Sequence, residues 1–429
     1  MHNGLHLNSF KHLCDEGNIN IMPAPDVLRL SLQQHSDTAL HPCVQQGETV
    51  AMGQVIAKPD STLGAWLHAP VSGRIHAIND KSGDREIVIT NDHHDRRAAT
   101  CMPYPDWQTW SSPELIDHLA KGGIAGLGGA VYSTGAKISA HLKHRIETVI
   151  INGMECEPFI TCDDHLMREH ATSILNGTQI LLHASGAQNA IVAIEDDKPA
   201  AIHSMRDALQ SLDDTRIQVR ILPTRYPGGD EGQLTKQLLS REIPRGQLPS
   251  AIGVLTNNVA TAHACAQWIL KGEPLISRIV TVTGHGIHQP FNAEIRIGTA
   301  CKDIIAFCGG YGDDIVTLIM GGSMMGKALR NDNDTISKAS NCLIAATDID
   351  ISPAYIEQPC IRCAECANAC PANLLPQQLL MHLRNHNINA AVELGLRDCI
   401  ECGCCDAVCP SHIMLASRFR AAKLQLHHQ

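Results

Sequence analysis

The chain has 429 residues, 44% hydrophobic but only 3% aromatic, and a formal net charge of -10. That length exceeds one small core and fits about three domains, and the acidic balance argues against nucleic acid as a partner, because neutralising phosphates takes a concentrated basic surface. No run of about eighteen apolar residues occurs, and the start MHNGLHLNSFKHLCDEGNINIM lacks the basic-then-apolar layout of a signal peptide, so the expectation is a soluble intracellular protein or one peripheral to a membrane. In a reducing compartment its 18 cysteines are expected as thiols rather than disulfides, and the crowded ones as metal ligands. The 24 histidines are scattered and mark no site.

In chain order, residues 20–100 come first. HPCVQQGETVAMGQVIAK and LHAPVSGRIHAI are short alternating segments punctuated by Gly and Pro, the texture of a compact all-β unit. From residue 110 to 268, apolar runs (TVIING, AIVAIE, IQVRILPT, AIGVLTN) alternate with helical stretches, which predicts a mainly parallel sheet covered on both faces. A second β-rich piece, RIVTVTGHGIHQPFNAEIRIG, opens the stretch 269–327. Residues 350–429 hold the crowded cysteines, and PQQLLMHLRNHNINAAVELGL between them reads as helical.

The cysteine pattern is the strongest signal. CIRCAECANACP supplies Cys360, Cys363, Cys366 and Cys370, and CIECGCCDAVCP supplies Cys399, Cys402, Cys405 and Cys409, both spaced C-x2-C-x2-C-x3-C-P. This is the spacing of paired bacterial [4Fe-4S] sites, in which the fourth thiolate of each run completes the other cubane. One cluster would take Cys360, Cys363, Cys366 and Cys409, the other Cys399, Cys402, Cys405 and Cys370. Cys404 is spare; the register of the first run favours Cys405 over it. Zinc fits poorly, because a repeated third cysteine and a closing Cys-Pro are foreign to ribbons and knuckles.

Two cubanes carry electrons, so another site must exchange them with a substrate. GGIAGLGGAVYSTGAKI, residues 122–138, sets Gly126, Gly128 and Gly129 ahead of Lys137. Glycines let backbone amides approach a phosphate, and a helix beginning near Ser133 or Thr134 would add its positive end. The loop is not a Rossmann fingerprint, and glycines that merely turn the chain would read the same. Asn152, Glu155 and Glu157 follow the run TVI at a strand's carboxyl end, where open parallel sheets place ligands. Asp163 and Asp164 read as a helix cap and first-turn acid. Asp230 and Glu231 follow a tight turn, and Asn257 and Asn258 end another apolar run. Cys156 and Cys162 beside this region read as buried thiols.

The glycine loop, NGMECEP, PTRYPGGDEGQL, TNNVAT, RIVTVTG, MGGSMMG and the two cysteine runs, in this order, resemble the RnfC family, a component of Rnf-type ion-translocating electron transport complexes. The α/β part is similar to the flavin-binding subunit of respiratory complex I. The resemblance implies a multidomain α/β chain: a barrel-sandwich hybrid (20–100), an FMN- and NADH-binding α/β core (110–268), a soluble-ligand-binding β-grasp unit (269–327) and a helical two-[4Fe-4S] ferredoxin domain (350–429). It implies a peripheral subunit at the cytoplasmic face of the inner membrane, reached through partner subunits, that exchanges electrons with NAD(H) at FMN in an NADH:ferredoxin type oxidoreductase. A ferredoxin is an implied partner. Carried over by residue, Gly126, Gly128, Gly129 and Lys137 would cradle the flavin phosphate. Asn152, Glu155, Glu157, Glu231, Asn257 and Asn258 would line the flavin and nicotinamide pocket.

Two positions depart from the family pattern. Val131 replaces a glycine, which would narrow the space over a flavin, and Asp230 replaces another, adding charge near a phosphate. A different class of function, an iron–sulfur adaptor that binds neither FMN nor NADH, follows if those changes close the pocket. The stretch VQQGETVAMGQVIA…HAPVSGRI also resembles biotinyl and lipoyl carriers, but its Lys58 lies outside the expected hairpin tip. The tail SHIMLASRFRAAKLQLHHQ carries Arg418, Arg420 and Lys423 without an acid, which suits either an acidic docking partner, an anionic membrane surface or a plain solvated helix.

Overall fold

The computed structural model describes residues 4–36, 38–79, 85–351 and 355–427. After the short β1 (Asn20–Ile21) come β2 (Val27–Ser31), β3 (Leu40–Pro42), β4 (Thr49–Val50), β5 (Val55–Pro59), β6 (Leu67–His68), β7 (Gly73–Asn79) and β8 (Glu86–Asn91). They form two antiparallel sheets, β2-β8-β7-β4 and β3-β5-β6. Alternate residues Leu28, Leu30, Ile75, Ile87 and Ile89 are buried between them, the period of two that a half-covered strand requires. Lys58 lies on β5 with its ammonium 4.7 Å from the centre of the Trp66 ring, a structural contact rather than a hairpin tip.

The central unit runs α1 (Ser112–Lys121), α2 (Thr134–His141), β9 (Thr148–Gly153), α3 (Cys162–Ser185), β10 (Asn189–Glu195), α4 (Pro199–Leu212), β11 (Ile217–Leu222), α5 (Glu231–Leu239), β12 (Val254–Asn258) and α6 (Val259–Lys271). Its strands are all parallel, in the order β11-β10-β9-β12. Both faces are covered, as the apolar runs predict: Val149 and Ile151 join the core that holds Ile174 and Leu181 of α3 and Cys265 of α6, while Ile150 meets Leu234 of α5. At Gly177 a Cβ would stand 1.7 Å from the Ala262 carbonyl oxygen, so α3 and α6 reach their close packing only because this residue has no side chain.

The third unit contains β13 (Ser277–Thr283), β14 (Phe291–Arg296), α7 (Cys301–Phe307), β15 (Thr317–Met320), β16 (Lys327–Ala328) and β17 (Cys342–Ala346). Its sheet, β1-β14-β13-β17-β15-β16, extends outside 269–327 at both ends. β1 pairs parallel with β14, and the fully buried β17 runs between β13 and β15. Lys338, just ahead of β17, is fully buried and joins three units. Its ammonium donates to the carbonyls of Trp66 and Gly123, both at 2.8 Å, and lies 3.0 Å from His35 Nε2. Those acceptors satisfy a charge whose burial would otherwise be costly.

The last unit consists of α8 (Glu365–Asn368), α9 (Pro376–Arg384), α10 (Ile388–Glu393), α11 (Cys404–Ala407) and α12 (Leu415–His427). The stretch expected as helical is broken at His386, which has φ 54, and Asn387 then caps α10 through Ala390 N. Leu415, Ala416, Phe419 and Ala422 of α12 pack onto Leu379 and Leu380 of α9. The tail cations find partners inside the chain: Arg418 on Glu357, Arg420 and Lys423 on Glu401. Of the three readings of the tail, those internal pairs favour the plain helix. Among the described residues no helix is long and apolar enough to cross a membrane.

Candidate functional site

The glycine loop closes on itself between α1 and α2. Gly126 N donates to Tyr132 O at 2.8 Å and Val131 N to Gly126 O at 3.1 Å. α2 begins at Thr134 with Ser133 as its cap residue. The tip, Gly128 to Ala130, is exposed, and Gly129 has φ 111 with nothing within 4 Å of where a Cβ would stand. A Cβ on Gly128 would come within 3.3 Å of Asn258 Cβ, so the loop lies against the end of β12. Val131 holds φ 47, a left-handed conformation unusual for a β-branched residue, and its side chain is buried with Ala65 and Ala125. Valine thus keeps a glycine-like backbone and fills the space beneath the loop rather than above it.

Lys137 reaches across from α2 to Glu231 Oε1 at 2.8 Å and the Thr256 carbonyl at 2.6 Å. It ties the glycine loop's helix to α5 and β12. Asp230 caps α5, its Oδ1 accepting from Gly232 N at 3.1 Å and Gln233 N at 3.0 Å. The helix end thus holds the Asp230 carboxylate, and burial raises its pKa.

Asn152 and Asn258 stand side by side in register at the carboxyl ends of β9 and β12. Asn152 Nδ2 donates to Gly229 O at 2.8 Å, fixing the PGGDEG turn over the sheet. Asn258 caps α6 through Ala260 N and donates to Asp163 Oδ2 at 2.6 Å. Asn257 is buried, and its Nδ2 has no partner. A buried amide donor left open at a strand end is what a ligand-holding site would show.

The two glutamates of NGMECEP go separate ways. Glu155, at φ 48, turns its oxygens onto the amides of Asp163 (2.6 Å) and Asp164 (3.2 Å) at the start of α3. Burial lifts its pKa to about 8 against the pull of Lys11, whose ammonium contacts the Glu155 carbonyl and lies 3.9 Å from Oε2. Glu157 accepts from Met324 N (3.2 Å) and Met325 N (3.0 Å) in the third unit, and burial lifts its pKa to about 7. Both Glu157 oxygens thus hold the MGGSMMG loop beside the end of β9. Burial also pushes the Cys156 thiol up to about 12 and Cys162 well above its usual value, in keeping with unreactive thiols.

Lys11 is a site residue that no motif marks. The N-terminal segment lies over this sheet edge: Leu5 pairs with Tyr226, Ser9 O accepts from Phe159 N at 2.7 Å, and Phe10 stacks on Phe159 at 4.6 Å. Nothing in its local pattern signals a partner so distant in sequence.

The eight cysteines of the repeated runs surround two cavities. Cys360, Cys363, Cys366 and Cys409 line one; Cys370, Cys399, Cys402 and Cys405 line the other, together with Cys404. Leu374 N donates to Cys370 Sγ and Ile413 N to Cys409 Sγ, both at 3.4 Å and both four residues on, so the two halves repeat in structure as in sequence. Four thiols converging on a small enclosed space fit a cubane in donor number and softness. The two halves differ in cover. Cys360 and Cys363 are exposed, whereas Cys402 and Cys405 are buried. Over the second set, Tyr226 Oη donates to Cys402 O at 2.6 Å and Gln233 Nε2 to Pro371 O at 2.9 Å, both from the α/β unit.

Known proteins match these parts one by one. Family models match the RnfC barrel sandwich hybrid domain over residues 1–94, the Nuo51 FMN-binding domain over 119–267, the SLBB domain over 279–328 and the 4Fe-4S dicluster domain over 359–413. The RnfC component of the ion-translocating oxidoreductase complex of Rhodobacter capsulatus is 38% identical over 430 residues, covering 99% of this chain and 82% of that relative. The chain belongs to the RnfC family of ion-translocating oxidoreductase complexes. A relative of the same description from Haemophilus influenzae is 40% identical, with 99% of this chain and 52% of that relative covered, and one from Pseudomonas aeruginosa is 41% identical, with 93% and 52% covered. Against these two the chain spans about half of the relative's length. A chain of a solved NAD+-reducing [NiFe]-hydrogenase shares the fold, with a TM-score of 0.51 at 17% identity over 77% of this chain and 66% of that one. As a member of the family the chain is an electron-transfer subunit of an oxidoreductase complex, with an FMN-binding domain and a 4Fe-4S dicluster domain.

Proposed function

We propose that this RnfC protein exchanges electrons with NAD(H) at FMN and relays them through two [4Fe-4S] clusters to the rest of an NADH:ferredoxin type complex. In this reading it is held at the cytoplasmic face of the inner membrane by its partner subunits, and a ferredoxin is the complex's other redox partner. FMN, when bound, supplies the conversion between a two-electron hydride donor and one-electron carriers. The chain's own part is to bind and orient. Gly126, Gly128 and Gly129 offer an open loop beside Asn258, with Lys137 at its helix. Asn152, Glu155, Glu231 and Asn257 would complete the walls, and the unpartnered Asn257 amide supports the fit.

One cluster is assigned to Cys360, Cys363, Cys366 and Cys409, the other to Cys399, Cys402, Cys405 and Cys370. The observation that carries the reading is the contact between the α/β unit and the second set: Tyr226, from the segment that leads into Glu231, reaches the Cys402 backbone. That contact supports a reading in which one thiol set lies beside the proposed flavin cleft.

The test is an anaerobic titration of the iron-reconstituted chain with FMN and then NADH, following flavin absorbance and the EPR of reduced clusters. About eight irons, FMN binding, and reduction of both kinds of centre by NADH are expected. Eight irons without FMN binding would leave the adaptor reading in its place.

A further inference from the structure

Outside the site described above, a cavity of about 370 Å³ lies where three units meet. Its size and its place at a junction are typical of small-molecule sites. Met52 and Arg97 come from the first unit, α3 and α6 supply the central wall, and β13 and β14 the third. None of the residues assigned above to flavin or iron lines it. Ala260, Ala264, Gln267 and Lys271 bring one stripe of α6 to the cavity at helical spacing. Leu127, Leu166, Ala264, Leu275 and Ile276 are buried and make an apolar floor, whereas Arg97, Lys271 and Glu273 are exposed at the mouth.

The charges around this space are unequal. Four cations, Arg97, Lys271, Arg278 and Arg296, stand against two carboxylates, Glu273 and Glu294. Arg97 lies 3.8 Å from Glu273 and donates to the Lys271 and Gly272 carbonyls. The buried Arg278 donates to the carbonyls of Lys338 and Leu127 and feels the charge of Asp163. Glu294 accepts from Ser277 Oγ at 2.6 Å, and Glu169, just outside the lining, accepts from Ile19 N at 2.7 Å. The side chains of Lys271 and Arg296 have no hydrogen bond or ion pair among the described residues. Two polar atoms of the wall are open as well. Gln267 Nε2 lies 3.0 Å from His263 Nε2, and burial lowers the His263 pKa to about 3, so the ring is neutral. Whichever way the Gln267 amide is turned, the pair leaves one donor and one acceptor over, at His263 Nδ1 and the second amide atom, both buried without a partner.

We propose that this cavity binds a small organic anion with an apolar body, its acidic head held by Lys271 and Arg296 and its body laid over the floor. Charge-assisted hydrogen bonds fix the head, and burial of the body against Leu127, Leu166 and Ile276 supplies the rest. A purely polar anion would leave the floor wet. A neutral apolar molecule would leave the two cations unanswered. The proposal rests on neither the flavin nor the cluster assignment.

The test is anaerobic isothermal titration calorimetry of the full, iron-reconstituted chain with octanoate as the probe. Binding at a single site with a Kd below about 1 mM is expected. Acetate lacks the body and 1-octanol the charge, and each is expected to bind at least about tenfold more weakly. Arg296→Gln and Lys271→Gln should each weaken octanoate about tenfold, and Ala264→Phe, which fills the floor, should abolish binding. All three are expected to keep the iron content and thermal unfolding of the wild type; should Ala264→Phe misfold, the two charge variants decide. An excess of FMN should leave the titration unchanged. Absent octanoate binding, equally tight 1-octanol, undiminished binding in any folded variant, or displacement by FMN overturns the proposal. The titration needs neither FMN nor NADH, so a failure of the flavin reading is seen separately.

Discussion

Tyr226 donates a 2.6 Å hydrogen bond from its hydroxyl to the backbone carbonyl of Cys402, joining a turn of the α/β sheet to the second cysteine run across 176 residues of sequence. Tyr226 is buried, and Cys402 and Cys404 pack with it in one apolar cluster. The domain that would hold FMN and the domain that would hold iron are therefore in direct contact at this point.

Tyr226→Phe removes the donor and leaves the Cys402 carbonyl without it. The cost expected is about 1–3 kcal/mol in urea unfolding. The EPR signal of the cluster held by the second set should shift, and that of the first set should not. A variant that leaves both signals unchanged would break the link between this contact and the assigned ligands.

Cys404 and Cys405 both reach the second cavity, but they face different cores. Cys404 packs with Tyr226, while Cys405 shares the ferredoxin core with Cys366, its counterpart in the first run. Cys404→Ala is expected to keep about eight irons and Cys405→Ala to fall toward about four. Iron analysis and Mössbauer spectra check this directly.

Val131 combines a left-handed backbone with a buried side chain. Val131→Ala keeps the strain and loses two methyl groups' worth of burial, about 1.6 kcal/mol. Val131→Gly loses more burial but releases roughly 1–2 kcal/mol of backbone cost. Glycine is expected to be no more destabilising than alanine in thermal unfolding, despite being smaller. A glycine variant clearly worse than alanine would mean that the valine backbone is unstrained.

Glu157 ties the sign of a pH effect to one contact. Its pKa is raised to about 7 by burial, from an ordinary value near 4.5. Between those values the folded state binds the proton and the unfolded state does not. Stability therefore falls as pH rises from about 4.5 to 7, by roughly 3 kcal/mol for a shift of this size. Glu157→Gln is expected to flatten that part of the profile. If wild type and variant change in parallel across it, Glu157 does not titrate there.

Much of this is legible in the sequence because periodic and repeated patterns carry their own geometry. The apolar runs at Val149–Ile151 and Ala190–Ile194 are too short for helices and too continuous for an exposed sheet, which leaves a covered parallel one. A repeated cysteine register likewise names its own groups of four, and each group surrounds one cavity. What spacing cannot reveal is a partner far along the chain. Glu157 is captured by Met324 and Met325, Lys11 enters from the N-terminal segment to meet Glu155, and Lys137 meets Glu231 from another helix. Asp230 stands out in the sequence for its charge, while its position just before α5 decides its role as a cap. Local helical character also hides the break at His386, which only the backbone reveals.

Because Tyr226 of the α/β unit reaches the Cys402 backbone, we propose that electrons from NADH reach the second thiol set before the first. The most direct measurement uses Cys399→Ser, which removes a ligand of the second set and leaves the four candidates of the first intact. With FMN bound and about four irons retained, dithionite should still give the EPR signal of the remaining cluster. NADH should bleach the flavin yet leave that cluster oxidised. If NADH reduces it as fast as in the wild type, the second set is not on the path, and the order proposed here is wrong.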